Sequence, residues 1–136
     1  MKRREQADLL LHKAAQDEAL LDEVLGAASV SDEIIGFHCQ QAAEKMLKAV
    51  LSDLGLQFKR THDLGALMEL LRGHGRPLPE ELADLDTLTP YGAIYRYEYV
   101  DAGAPLDRPL VRRKLAGLRA WAEERLRSRT PDALAS

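Results

Sequence analysis

The chain is poor in cysteine and in aromatic residues, and it has no long apolar run. Its single cysteine, Cys39 of 136 residues, excludes an intramolecular disulfide and fits a reducing compartment, so a cytoplasmic protein is expected. Two phenylalanines, four tyrosines and one tryptophan are all the aromatics. With no sustained strand alternation, that composition favours an all-helical fold. No stretch reaches the length of a membrane span, so no membrane partner is expected. The opening MKRREQADLL is basic but lacks the apolar core of a secretory signal. A net charge of −3 argues against a protein that coats nucleic acid indiscriminately, while leaving room for a local basic patch.

Common chemical signatures are missing as well. No Glu-x-x-His, HExxH, paired-cysteine set, Walker loop or GxGxxG occurs, so neither a metal nor a cofactor is expected. Cys39 falls on an apolar helix face and reads as a small core residue rather than a nucleophile. Four scattered histidines do not assemble a hydrolase triad with any specificity.

What the chain does have is helical periodicity, strongest over residues 32–55. There Ile35, Cys39, Ala42, Ala43, Met46, Ala49, Val50 and Leu54 share one face, with Phe37, Leu47 and Leu51 as a second apolar flank. Asp32 reads as the N-cap and Gly55 as the stop. His38, Gln41, Lys45 and Lys48 form one polar row, three and four residues apart. A helix this apolar contacts protein on more than one side, which makes it the centre of a bundle with its polar row in a cleft or at a subunit interface.

In chain order, residues 3–28 carry a helical stripe of Leu10, Ala14, Leu21, Val24, Leu25 and Ala28, interrupted by Asp17. That interruption is either a kink or a half-buried carboxylate in need of a partner. Thr61 reads as the cap of a third helix from His62 to Leu71, and Pro79 as the start of a short one ending near Leu85. Thr89, with Pro90 after it, reads as the cap of a helix bearing Tyr91, Tyr95 and Tyr99, with Arg96 and Tyr97 beside them. These tyrosines either fill the core or form a stacking and phosphate-binding surface charged by Arg96. Asp107 caps a last helix whose outer face carries Arg112, Arg113, Arg119, Arg125 and Arg127. That face is read as solvated, with an RNA contact as the alternative. The division is a bundle over residues 1–128 and a flexible tail over 129–136.

Taken together, GFHCQQAAEKMLKAVL, the following RTHDLGALMELL and then LTPYGAIYRYE resemble the HEPN domain family over nearly the whole chain. The FHxQQAAEKxLKA run is the most specific part. The resemblance implies an all-α, antiparallel up-and-down bundle of four to five helices, usually a homodimer. It also implies a partner, a minimal nucleotidyltransferase paired with it in a toxin–antitoxin-like system. Some members are metal-independent ribonucleases in which an arginine is followed, four to six residues on, by a histidine, and in which a nearby tyrosine is nucleotidylated.

This chain departs from that motif. After Arg96 come Tyr97, Glu98, Tyr99, Val100, Asp101, Ala102 and Gly103, with no histidine. Acid–base cleavage needs a group exchanging protons near neutral pH. The expectation is therefore a nucleotide-binding or regulatory partner, without a cofactor but with a nucleotide as possible ligand. A ribonuclease using Arg96 is the alternative, and an RNA-binding module through the last helix is a further one. The candidate site is a polar cleft of Asp17, His38, Gln41, Lys45, Arg96 and Tyr97, in which Asp17 pairs with Arg96 or Lys45. Tyr97 and Tyr99 are candidates for modification.

Overall fold

The computed structural model describes residues 2–58, 60–93 and 105–129. Five helices are present among them and no strand: α1 (Arg3–Val24), α2 (Asp32–Asp53), α3 (Leu64–Gly73), a 3-10 helix (Glu80–Gly92) and α4 (Arg108–Arg127). Arg96, Tyr97, Tyr99, most of the segment expected to form the tyrosine-bearing helix and the tail from residue 130 lie outside the described residues.

α2 is the axis of the bundle and touches all four other elements, α1 most extensively. Its expected apolar stripe is buried from Ile35 to Val50, and Leu47 and Leu51 of the second flank are fully buried too. α1 runs antiparallel to α2, as the pairs Asp17–Lys45 and Arg4–Asp53 show. α4 starts beside the start of α2, at Arg108–Asp32, and ends beside its end, where Arg4 bridges Asp53 and the Leu126 carbonyl. α4 is thus parallel to α2 and antiparallel to α1. The short α3 and the 3-10 helix carry the chain back and permit that direction.

Helix ends explain where the elements stop. After α2, Gly55 has φ 73°, and the Leu56 amide donates to the Leu51 carbonyl at 3.0 Å. This closes the last turn as a left-handed glycine does. Asp107 caps α4 by accepting from the Leu110 amide.

Three expected caps are placed differently. Ser31, not Asp32, caps α2 by accepting from the Ile34 amide. The Asp32 carboxylate instead accepts from the Leu106 amide at 2.9 Å and the Arg108 guanidinium at 3.0 Å. Asp63, not Thr61, caps α3, so His62 stays outside the helix. Thr89 starts no helix. Its hydroxyl accepts from the Leu64 amide, satisfying an orphan donor of α3.

The 3-10 helix replaces both the short helix ending near Leu85 and the start of the one expected at Thr89. Its buried residues are Leu82, Leu85, Leu88 and Tyr91, spaced by three. Three residues per turn put all four on one face, whereas an α-helix would rotate them apart. The segment ends with the Tyr91 ring on Gly36, where an added Cβ would lie 2.3 Å from a ring carbon.

Candidate functional site

The polar row of α2 is enclosed on both sides by its neighbours. α1 places Asp17 opposite it, with a side chain only 12% exposed. The Asp17 carboxylate takes Lys45 Nζ at 2.5 Å on one oxygen and His38 Nδ1 at 3.0 Å on the other. Of the two partners expected for Asp17, Lys45 is the one the described residues place there. Lys45 and His38 are each about a quarter exposed, at 24% and 26%, so the pair lines the surface rather than the core. The Phe37 ring meets the His38 imidazole edge-on, 5.2 Å between centroids.

Gln41, in the same row, belongs to a second cluster. Its amide donates to Gln40 Oε1 at 2.7 Å, and Gln40, fully buried, donates to Glu44 Oε1 and to the His62 carbonyl. Glu44 is buried on α2 and also accepts from Lys48 at 3.0 Å. His62 Nδ1 lies 2.7 Å from the same carboxylate. Burial pushes the Glu44 carboxyl up, but the bonds from Gln40, His62 and Lys48 outweigh it and hold its pKa below the ordinary glutamate value.

This second centre was not foreseen in the sequence, although Gln40, Glu44 and Lys48 stand at i, i+4 and i+8 and so share a helix face. The local sequence puts His62 at the start of α3. Because the helix begins two residues later, the imidazole reaches across to α2. Two carboxylates therefore each hold one lysine and the Nδ1 of one histidine.

Elsewhere, the expectation of a solvated arginine face is corrected by two of its members. Arg112 pairs with Asp22 and Glu18, and Arg119 pairs with Glu18 and donates to the Leu11 carbonyl. Their long side chains span the space between α4 and α1, where Glu18 is only 6% exposed. Arg125 lies over the Trp121 ring at 5.8 Å and Arg127 pairs with Glu124, while Arg113 is exposed. Cys39 is buried, and burial pushes its thiol up to about 12, which keeps it from acting as a nucleophile. No set of three or more His, Cys, Asp or Glu arranged to hold a metal ion occurs among the described residues. No helix there is long and apolar enough to cross a membrane.

A family model described as HEPN domain matches residues 8–119. That range spans the bundle from α1 to α4 and includes both carboxylate centres. No curated protein and no solved structure matches significantly.

Proposed function

The chain belongs to the HEPN domain family, and on that premise we propose that it is a nucleotide-binding or regulatory partner of a minimal nucleotidyltransferase, in a two-component system of the toxin–antitoxin kind. The observation that carries this reading is the absence of a histidine in the seven residues after Arg96, which removes the usual proton donor from the ribonuclease motif. The polar row supports it. Lys45 and Lys48 each use only part of their donor capacity on Asp17 and Glu44. The two carboxylates balance the two lysines, so an anion in this cleft gains from a further cation, a role that suits Arg96. Ile34, one turn before His38 on α2 and 39% exposed, puts an apolar side chain at the end of this row and supports a protein partner there, either the nucleotidyltransferase or a second copy of the chain.

The test is co-expression of the full chain with the product of an adjacent small nucleotidyltransferase frame. The two are expected to co-purify, and Arg96→Ala is expected to weaken the complex. Separate elution of both proteins at working concentrations contradicts the pairing.

A ribonuclease is the second reading, and one observation favours it. His38 and His62 both have their Nδ1 held by a carboxylate, an arrangement that orients an imidazole for proton transfer. Incubation with RNA decides: cleavage lost in Arg96→Ala and in His38→Gln makes the protein an enzyme. The RNA-binding module on α4 draws less support, because Arg112 and Arg119 already serve Glu18 and Asp22.

A further inference from the structure

Next to the Glu44 centre lies a cleft of about 300 Å³ between the α2–α3 loop and α3. Gln57, Phe58, Thr61, Ala66, Leu67 and Leu70 line it, so its walls are mainly apolar, with one carboxamide and one hydroxyl. The rim is cationic. Lys48 Nζ stands 5.6 Å from the centroid of the Phe58 ring. His62, next in sequence to Thr61, has a side chain 63% exposed and its Nδ1 committed to Glu44, which leaves Nε2 as the available nitrogen. Arg60 is exposed in the same loop. Glu44 faces this rim but already carries Lys48, Gln40 and His62, and the Asp63 carboxylate caps α3. A size at the lower end of ligand sites, roughly 300 to 1,000 Å³, admits a planar base and leaves a phosphate outside it.

We infer that this cleft is a nucleoside monophosphate site, with the base against Phe58, Leu67 and Leu70 and the phosphate on Lys48 and His62. The inference rests on the nucleotide-binding part of the proposed function and locates that ligand away from Arg96. Phe58 supplies the ring for base contact, and Thr61 and Gln57 supply hydrogen bonds for a base edge or a ribose. Glu44 is a positioning residue: it holds the His62 ring and does not touch the ligand.

Calorimetric titration of the full chain with adenosine 5′-monophosphate tests the assignment. Saturable binding is expected, with adenosine and inorganic phosphate each weaker because each occupies only half of the site. Ala66→Phe, at an exposed position on α3, fills the cleft and is expected to weaken the nucleotide by about tenfold, the worth of one base stack. His62→Gln is expected to weaken adenosine monophosphate and leave adenosine unchanged. A folded Ala66→Phe protein with wild-type nucleotide affinity overturns the inference, as does phosphate binding as tightly as the nucleotide. So does a wild-type chain that shows no saturable binding. Arg96→Ala separates the two readings. If it abolishes nucleotide binding and Ala66→Phe does not, the Arg96-centred function stands and the cleft is wrong. If the reverse holds, the cleft stands and Arg96 has no part in holding the nucleotide.

Discussion

Asp17 and Glu18 are adjacent on α1, yet they serve different neighbouring helices. Asp17 turns to α2 and holds a lysine and a histidine; Glu18 turns to α4 and holds two arginines. The cationic partners make the difference. Guanidinium groups stay charged at any physiological pH and bind carboxylates through a planar fork, so the Glu18 cluster is a permanent cross-brace between helices. Lys45 is a point charge with donors to spare, and His38 holds the same carboxylate through a single ring nitrogen. Both are reachable from solvent. One carboxylate ties two helices together through guanidinium forks, whereas its neighbour orders two partly exposed side chains at the surface.

That contrast can be broken most directly at Glu18. Glu18→Ala leaves two half-buried arginines without their shared partner and is expected to cost about 3 kcal/mol, since removing one side of a buried ion pair strands the other. Urea unfolding measures it, and a loss below about 1 kcal/mol would erase the distinction between brace and surface. Asp17→Asn is expected to cost less, about 1 to 2 kcal/mol, because Lys45 and His38 regain water where they stand. Equal losses at the two positions would make the Asp17 cluster a second brace.

The third carboxylate, Glu44, sharpens the comparison through pH. Its folded pKa is lowered, so its contribution to stability is complete above the ordinary value of 4.5 and fades as the pH falls through the folded value. Glu44→Gln should therefore be less stable than the native chain near neutral pH, with the gap narrowing below about pH 4.5. A gap that is constant down to acid unfolding contradicts the assigned hydrogen bonds. The smallest effect is expected at Lys114, whose partner Asp84 is 60% exposed. Lys114→Ala should change stability by no more than about 0.5 kcal/mol, as exposed pairs do, and a larger change in the unfolding midpoint would show that surface pairs also brace this bundle.

Local patterns were readable from the residues alone. The apolar stripe of α2, its glycine stop at Gly55 and the Asp107 cap of α4 each depend on side chains within a few positions. They stand where those patterns put them, and of the two readings open for Asp17, a kink or a half-buried carboxylate, the structure has the second. The 3-10 helix was also written in the chain, as the three-residue spacing of Leu82, Leu85, Leu88 and Tyr91. It was missed because Pro79 and Thr89 carry ordinary start signals for α-helices. Ser31 and Asp32 compete for one cap within two residues, and local sequence gives both a claim. The claim was decided by Arg108 and the Leu106 amide, which come from more than seventy residues away.

By itself, then, the amino-acid order determined that α2 and α4 are helical and which face of α2 is apolar, and through its motifs the HEPN family. Only the tertiary structure decided the partners: Arg112 and Arg119 to Glu18 rather than to water, Thr89 to α3, and His62 to Glu44. Helical periodicity and capping arise from neighbours along the backbone, where spacing dictates contact. A cross-helix ion pair depends on how two helices rotate and slide against each other, and that is fixed by the packing of the whole core at once.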